Sequence, residues 1–278
     1  AYIVREWCQQ PSNFRSEGQL DAFLKQEGIP GLYGIDTRAL TRIVREQGVM
    51  NAKLSFTPEA DEALLKELKS FSIKNAVNSV SNLSQPSLTQ PQSGPLVALW
   101  DFGAKLNIER ELIKRGCRVK VMPASSTAED ILDINPQGIM LSNGPGDPAE
   151  NTGIIKELRK LLNSGLPIFG ICLGHQLLAL ASGAKTAKLK YGHRGANQPC
   201  TQTDTGRVYI TSQNHGYAVV GESLPSNARV SFINANDGTC EGVDYLDMPA
   251  FSVQFHPEAS AGPKDTAFLF DRFVSMLK

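Results

Sequence analysis

A cysteine between two glycines is the residue of this chain best suited to act as a nucleophile. Cys172 lies in GICLG (170–174), directly after the apolar run PIFGI (167–171). This pattern is typical of a nucleophile elbow, a sharp turn that lifts the central side chain above a sheet at the start of a helix. Unpaired N–H groups there favour a thiolate, and the N–H of Leu173 could stabilise an oxyanion. The pattern alone is weak, because a cysteine between glycines is more often a small buried residue.

A histidine and a glutamate near the end of the chain have the spacing of a base and its orienting acid. His256 and Glu258 are two residues apart in FHPE, so both side chains lie on the same side of an extended segment. Pro257 restricts the backbone between them. In a Cys/His/acid triad, Glu258 would orient His256, and His256 would activate Cys172. The same spacing is equally typical of a surface ion pair, and that alternative stays open at this stage.

A glycine-rich segment, NGPGDP (143–148), follows another apolar run. It is either a plain turn or a loop in which Gly144 and Gly146 let the backbone approach a ligand. The N–H of Gly144 would then be a second oxyanion donor. The chain has neither G-x-x-x-x-G-K-[ST] nor G-x-G-x-x-G, so we expect it to bind no ATP and no dinucleotide.

Short apolar runs alternate with helical patterns from residue 96 onward. The sequence predicts strands at 96–100, 118–122, 138–141 and 167–171, and helices near 105–115, 127–133 and 153–163. This alternation predicts an α/β fold with a doubly wound, mostly parallel sheet covered by helices. Sites in such sheets lie at the carboxyl ends of strands, and both the NGPGDP loop and the GICLG turn follow a strand. We therefore expect the two motifs to lie at one edge of the sheet.

A linker separates this region from the first part of the chain. Ser84–Pro95 contains three prolines and no charge, which predicts a smaller N-terminal domain at 1–95 and a second domain at 96–278. In the first domain, Asp36 is placed to cap a helix that ends at Gly48, and a second helix is predicted after Thr57-Pro58. Apolar side chains at helical spacing predict that both helices contribute to a core: Leu40, Ile43 and Val44 in the first, and Leu64, Leu65, Leu68 and Phe71 in the second.

Composition excludes several classes of function. The 28 Lys and Arg balance the 28 Asp and Glu, so the chain lacks the basic charge expected of a protein that binds nucleic acid or anionic membrane. The longest apolar run, Leu166–Ala184, contains His175, Gln176 and several glycines and is a poor membrane helix. Five widely spaced cysteines without a C-x-x-C pair predict neither disulfides nor zinc, and a reducing cytosol as the compartment. No cluster has metal-ligand spacing, so we expect no metal.

Four motifs in order resemble the class I, or triad, glutamine amidotransferases: SNGPGDP (142–148), GICLGHQ (170–176), SQNHGYAV (212–219) and FHPEAS (255–260). Three further segments are similar to the small, glutamine-hydrolysing subunits of carbamoyl phosphate synthetases: YGIDTRALTR (33–42), DFGAKLNI (101–108) and GHRGANQP (192–199). The resemblance covers the entire chain. In that family the N-terminal domain is longer and contributes a serine to glutamine binding, so we expect the first domain to be truncated before Ala1.

The resemblance implies a reaction and a set of residues. Cys172 attacks the side-chain amide of glutamine to give a glutamyl thioester and ammonia, while His256 moves protons and Glu258 holds His256. The residues that would line the glutamine pocket, several through backbone groups, are Gly144, Gly146, Leu173, Gln176, Asn214, Gly216 and Tyr217. A large synthetase subunit would receive the ammonia in a heterodimer or larger assembly, and would use ATP, magnesium and bicarbonate to make carbamoyl phosphate for arginine and pyrimidine synthesis. This chain itself would need no cofactor.

Other readings of the same residues remain at this stage. The chain could serve a different synthase, or be a free-standing cysteine peptidase or thioesterase, for which the elbow alone would be equally suitable. A non-catalytic scaffold is a third possibility, although Cys172, His256 and Glu258 are all present. Of the remaining histidines, His175 is expected to be packed or hydrogen-bonded, and His193 and His215 to shape loops near the pocket.

Overall fold

A helix in the first part of the chain has the capping residues that the sequence predicts. The computed structural model describes residues 1–56, 62–81, 88–260 and 262–277. In it, the Asp36 carboxylate accepts hydrogen bonds from the N–H groups of Arg38 and Ala39. The helix ends at Gly48, whose φ of 88° is a conformation that glycine adopts without strain.

This helix belongs to a first unit of the chain, Ala1–Ser72. The elements of the unit are β1 (Tyr2–Ile3), α1 (Leu20–Gln26), β2 (Gly31–Leu32), α2 (Thr37–Gln47) and α3 (Glu62–Ser70). Strands β1 and β2 pair in parallel. Thr57-Pro58, the predicted start of the second helix, lies outside the described residues.

The apolar faces of α2 and α3 do not form the predicted core within the described residues. Neither helix contains a buried residue, and Leu40, Ile43 and Leu65 each remain more than 40% exposed. The helical spacing of these side chains is correct, but the elements described in this unit do not cover the stripe that they form. The expectation that these faces pack into a core is therefore wrong for this structure.

A second unit begins at Ile73, before the predicted linker. A short helix, α4 (Ala76–Val80), belongs to it because Val77 is buried in its core. After the helix, the Ser81 hydroxyl donates to the carbonyl of Asp101 and accepts from the N–H of Ala124. Part of the linker, residues 84–87, lies outside the described residues, and the domain boundary at residue 95 stays a prediction.

The second unit alternates strands and helices where the sequence predicts them. Its first elements are β3 (Leu96–Asp101), α5 (Leu106–Lys114), β4 (Arg118–Pro123), α6 (Ala128–Asp133), β5 (Gly138–Leu141), α7 (Thr152–Leu161), β6 (Ile168–Ile171) and α8 (Leu173–Ala181). They are followed by β7 (Thr186–Gln202), β8 (Val208–Val219), β9 (Ala228–Asn234), β10 (Cys240–Tyr245), β11 (Ala250–Val253) and α9 (Phe268–Met276).

In the described part of this unit, nine strands form one sheet with a parallel and an antiparallel part. Strands β4, β3, β5, β6 and β11 lie side by side in that order and are parallel. Strand β11 then pairs antiparallel with β10, and β7, β8, β9 and β10 pair antiparallel among themselves. The prediction of a mostly parallel sheet thus describes only the first five strands in this order. The described connections between the antiparallel strands contain no α-helix, only a short 3-10 helix at Gly221–Ser223.

Helices cover both faces of the parallel part. Alternate residues of β3 separate into two buried clusters, since Ala98 and Trp100 pack with α7 and α8 while Val97 and Leu99 pack with α5 and α9. Phe169 of β6 stacks on Phe251 of β11 at 4.4 Å between ring centroids. Among the described residues, no helix has the length and apolar character needed to cross a bilayer.

Candidate active site

Cys172 occupies a sharp turn between β6 and α8. Its φ of 52° and ψ of −101° are unusual for a residue with a side chain. Such a conformation costs about 1–3 kcal/mol and persists only where surrounding contacts enforce it. One of these contacts is the N–H of Cys172, which donates to the carbonyl of Val253 on β11 at 2.9 Å. The geometry is that of a nucleophile elbow, as the sequence predicts.

The glycines on either side of Cys172 allow the helix to lie close to the sheet. A Cβ at Gly174 would lie 2.4 Å from the carbonyl oxygen of Leu141, and one at Gly170 would lie 2.8 Å from the backbone of Gly174. The N–H of Gly174 donates to the carbonyl of Ser142 at 3.0 Å, which ties the start of α8 to the end of β5. Any side chain at Gly174 would therefore push α8 and the elbow away from the sheet.

His256 follows β11, which is the parallel neighbour of β6 in the sheet, so it reaches the same edge as Cys172. The Cys172 side chain is close enough to the imidazole to raise the pKa of His256. Nδ1 of His256 lies 2.7 Å from Oε1 of Glu258, which leaves Nε2 for the sulfur. His256 and Glu258 are only 4% and 2% exposed, so the surface ion pair considered from the sequence is excluded.

The surroundings of His256 favour its charged form. Burial opposes the imidazolium, but the adjacent Cys172 sulfur and the Glu258 carboxylate outweigh burial and raise the pKa of His256 to about 10. Burial also opposes the carboxylate of Glu258, and the neighbouring His256 and Lys105 outweigh it and lower the pKa of Glu258. The imidazolium of His256 therefore lies between two groups that favour its positive charge, the Cys172 sulfur and the Glu258 carboxylate.

Two residues at the start of α5 hold Glu258, and sequence reasoning did not assign either of them a role. Lys105 Nζ lies 3.2 Å from Glu258 Oε1 and 3.1 Å from His256 Nδ1. Because Nδ1 donates to the carboxylate, we assign the ammonium to Glu258. The side-chain amide of Asn107 donates to the backbone carbonyl of Glu258. Both residues lie in the DFGAKLNI segment, so the family resemblance of that segment was the sequence signal that could have identified them.

The NGPGDP loop packs against the elbow. A Cβ at Gly144 would lie 2.6 Å from a methyl group of Leu173 and 2.4 Å from the carbonyl oxygen of Phe102, so only glycine fits there. This places the backbone of Gly144 beside the first residue of α8. The two predicted oxyanion donors, the N–H groups of Gly144 and Leu173, thus come from neighbouring segments.

The predicted glutamine-binding residues of α8 and β8 are linked to one another. The Gln176 amide donates to the carbonyl of Tyr217 at 2.8 Å and to Oε1 of Gln254 at 2.7 Å, so this side chain fixes the backbone of β8. Asn214 is exposed and Gly216 is half-buried on the same strand. Burial and the nearby Asp147 of the NGPGDP loop raise the pKa of the Tyr217 hydroxyl.

Gly146 lies farther from the nucleophile. With Asp147, Ala76 and Ser126 it lines an open cavity of about 750 Å³. Cys172 is not among the described residues that line this cavity. The predicted pocket residues therefore surround the elbow at Gly144, Leu173 and Gln176, whereas Gly146 faces a separate cleft.

The other histidines are all buried. Nδ1 of His175 lies 2.8 Å from the Ser252 hydroxyl, to which it is hydrogen-bonded. Burial lowers the pKa of His175 to about 3, so this histidine is packed and neutral, as expected. His193 and His215 lie in paired strands rather than in loops, which corrects the expectation for them. The hydrogen bond to Glu241 raises the pKa of His193 to about 9, whereas burial lowers the pKa of His215 to about 4.

Comparison with known proteins identifies the family. The family described as "Glutamine amidotransferase class-I" matches residues 98–276, and "Carbamoyl-phosphate synthase small chain, CPSase domain" matches residues 1–54. A carbamoyl phosphate synthase small chain from Symbiobacterium thermophilum is 47% identical over 99% of this chain and 77% of its own length. Another from Fusobacterium nucleatum is 50% identical over 98% of this chain and 76% of its own length. The chain belongs to the carbamoyl phosphate synthase small-chain family.

The fold agrees with this assignment. A solved glutamine amido transferase from Methylobacillus flagellatus superposes with a TM-score of 0.52 at 12% identity, over 66% of this small chain and 95% of that protein. The likeness supports a class I amidotransferase fold. As a family member, the small chain is the glutamine amidotransferase component of the synthase, and the family resemblance seen in the sequence motifs is confirmed.

The close approach at the elbow predicts opposite effects of two glycine substitutions in the small chain. Gly174→Ala would place a methyl group against the Leu141 carbonyl and should destabilise the fold by about 1–3 kcal/mol. Gly153→Ala in α7 is the matched control, because a Cβ there contacts nothing within 4 Å. It should stabilise the fold by about 0.5–1 kcal/mol. Urea unfolding of both variants checks this, and equal effects would contradict the packing described here.

The charged pair of the small chain predicts a pH dependence of stability. His256 has a raised pKa, so its contribution is complete below its ordinary value of 6.5 and is lost as the pH rises through about 10. Glu258 has a lowered pKa, so its contribution is present above its ordinary value of 4.5 and is lost as the pH falls below it.

Glu258→Gln should therefore reduce the free energy of unfolding more at about pH 6 than at about pH 9. Urea unfolding of the wild-type chain and this variant at both pH values measures the difference. Glu222→Gln, at an exposed position outside the site, is the control and should show no such dependence. A reduction of the same size at both pH values would mean that the pair is not charged as described.

Proposed function

We propose that this chain hydrolyses glutamine to glutamate and ammonia through a thioester on Cys172. The proposal depends on one observation above the others: the buried line of contacts from Cys172 to His256 to Glu258 at the carboxyl edge of the parallel strands. A thiolate beside an imidazolium is the reactive form of a catalytic cysteine. The elbow conformation and the family assignment support the same role.

The proposed chemistry starts from the thiolate of Cys172 and the imidazolium of His256. The sulfur attacks the carboxamide carbon, and the negative charge that develops on oxygen is stabilised by the N–H groups of Leu173 and Gly144. Nε2 of His256 gives its proton to the departing nitrogen, so ammonia leaves and the thioester remains. The neutral imidazole then takes a proton from water, which attacks the thioester. Collapse of that intermediate releases glutamate and restores the ion pair with Cys172.

Glu258 and its supporting residues position the base in this scheme. Its carboxylate holds Nδ1 of His256 and thereby directs Nε2 toward the sulfur. Asn107 holds the backbone of Glu258, and Lys105 holds its carboxylate. We assign the predicted pocket residues other than Gly146 to glutamine binding, with Gln176 acting through the backbone of Tyr217 rather than by direct contact.

We further propose that the ammonia is used by a large synthetase subunit. The small-chain relatives support this, since their name implies a partner chain. The sequence of this chain contains no phosphate-binding loop, so we place ATP, magnesium and bicarbonate on the partner, where carbamoyl phosphate would be made for arginine and pyrimidine synthesis. We place the complex in the reducing cytosol that the cysteine pattern of the sequence predicts.

The alternative of a free-standing cysteine hydrolase is less well supported. Residues 1–54 match the synthase small-chain domain, and the relatives align along nearly the entire chain. A peptidase or thioesterase would require only the elbow and its base. The match to the synthase small-chain domain outside the amidotransferase region favours a component of a synthase.

Replacing the nucleophile should abolish the reaction with little loss of folding. Cys172→Ser should remove measurable glutamine hydrolysis, because a serine hydroxyl is a much weaker nucleophile than a thiolate. Cys117→Ser, at another buried cysteine, is the burial-matched control and should keep glutaminase activity if folded. Ammonia release measures the activity, and circular dichroism measures folding. Hydrolysis retained by Cys172→Ser would overturn the proposal.

A labelling experiment tests the same assignment. Mass spectrometry after treatment with a glutamine-like electrophile should locate the adduct on Cys172.

The two partners of Cys172 should differ in their importance. His256→Asn should lower kcat by about 10²–10⁴-fold because it removes the group that transfers protons. Glu258→Gln should lower kcat less, because it removes only the group that orients the imidazole. Steady-state kinetics of both folded variants compare them. A greater loss in the glutamate variant would show that the roles are assigned wrongly.

A further inference from the structure

Three buried side chains that the proposed reaction does not use converge in the antiparallel part of the sheet. His193 on β7 and His215 on β8 are directly opposite each other, and their rings are perpendicular with centroids 4.9 Å apart. Glu241 on β10 lies between them. Its Oε1 is 3.0 Å from Nδ1 of His193 and 3.9 Å from Nε2 of His215. These are two imidazoles and a carboxylate, with ligand atoms all within 4.8 Å of one another.

The outer nitrogens of both rings are held by acceptors. Nε2 of His193 donates to Asp237 Oδ2 at 2.8 Å, and Nδ1 of His215 donates to the carbonyl of Tyr217 at 2.7 Å. These contacts turn the inner nitrogens, Nδ1 of His193 and Nε2 of His215, toward Glu241. Histidines that bind a metal are typically oriented in this way, with the second nitrogen donating to a carboxylate or a backbone carbonyl.

Several potential metal-ligand atoms with free lone pairs face one another inside the cluster. Nε2 of His215 faces two oxygens, Oε1 of Gln213 at 3.1 Å and Oε1 of Glu241. Since Nδ1 donates to Tyr217, a neutral ring has its lone pair on this Nε2. The second carboxylate oxygen of Glu241, on a fully buried side chain, has no hydrogen-bond partner among the described residues. A buried carboxylate oxygen without a partner is costly and points to a missing positive group.

We propose that Nδ1 of His193, Nε2 of His215 and the carboxylate of Glu241 bind one divalent transition-metal ion of the zinc type. Tetrahedral zinc with bonds of about 2.0–2.1 Å places its ligand atoms about 3.3 Å apart. The distances of 3.0 and 3.9 Å from Glu241 Oε1 to the two histidine nitrogens lie on either side of this value, and all the ligand atoms lie within 4.8 Å of one another. Oε1 of Gln213 lies where a fourth ligand would be. Nitrogen and carboxylate ligands of this kind suit zinc better than calcium or magnesium.

The role of this ion is structural. It would join β7, β8 and β10, and β8 carries Asn214, Gly216 and Tyr217 of the proposed glutamine pocket. The sequence analysis expected no metal because residues 193, 215 and 241 are too far apart along the chain to form a recognisable ligand motif. Strand pairing brings them together, which spacing alone does not reveal.

In the competing arrangement, a proton takes the place of the metal ion. His193 is then an imidazolium that donates from Nδ1 to Glu241 and from Nε2 to Asp237. In that arrangement the amide of Gln213 is turned so that its N–H donates to Nε2 of His215. The two arrangements predict different results when the purified chain is exposed to metal.

The test uses the full chain after treatment with a chelator and titration with Co²⁺, a spectroscopic probe for zinc sites. We expect one equivalent to bind, with the visible absorption of four-coordinate Co²⁺, and Zn²⁺ to displace it and raise the melting temperature. Glu241→Gln should abolish the absorption. Failure of the wild-type chain to bind Co²⁺ or Zn²⁺ would overturn the proposal and establish the proton-bridged arrangement.

A variant at the surface keeps the test decisive if buried substitutions do not fold. Asp237→Asn removes the acceptor that orients His193, at a side chain that is 46% exposed, and should weaken Co²⁺ binding about 10–100-fold. Asp204→Asn is the matched control, since Asp204 is also 46% exposed and ion-paired, in its case with Arg229. It should leave the affinity unchanged. Equal affinities in both variants would show that the ion binds elsewhere and would overturn the assignment.

Discussion

The candidate active site depends on keeping an imidazolium in an interior that disfavours charge. His256 is almost completely buried, and burial alone would make it neutral. The Cys172 sulfur and the Glu258 carboxylate reverse this preference, and the carboxylate lies 2.7 Å from Nδ1 of His256. The charge on His256 therefore depends on the positions of both neighbours. Most of the surrounding structure can be understood as a means of fixing their positions.

Two features of the fold provide this precision. Strands β6 and β11 are parallel neighbours, so the residues that follow them, Cys172 and His256, come to one edge although they are distant in sequence. The start of α5 reaches the same edge and holds Glu258 through Asn107 and Lys105. The strained backbone of Cys172 is maintained by the close packing of α8 on β5, which a glycine at position 174 permits. Strain at Cys172 is thus balanced by the packing of α8 against the sheet.

Local signals in the sequence predicted the elements that are determined locally. The cap at Asp36, the strand and helix alternation after residue 96 and the elbow at Cys172 each depend on residues close in the chain, and each is present in the structure. Contacts between distant segments gave no such signal. Nothing in the spacing of Lys105 predicts its contact with Glu258, and the apolar spacing of α2 cannot tell whether another element covers that face.

The antiparallel strands, which the sequence pattern did not resolve, connect the histidine cluster to the elbow. The carbonyl of Tyr217 accepts hydrogen bonds from two buried donors, the amide of Gln176 on α8 and Nδ1 of His215. One donor belongs to the helix that begins at the nucleophile, and the other belongs to the cluster with His193 and Glu241. Because both donor side chains are buried, loss of either bond would leave a buried polar group unsatisfied and loosen β8 from α8 or from the cluster. The position of the proposed glutamine pocket is therefore determined jointly by the elbow helix and by the charge balance of a cluster that contacts no reacting atom.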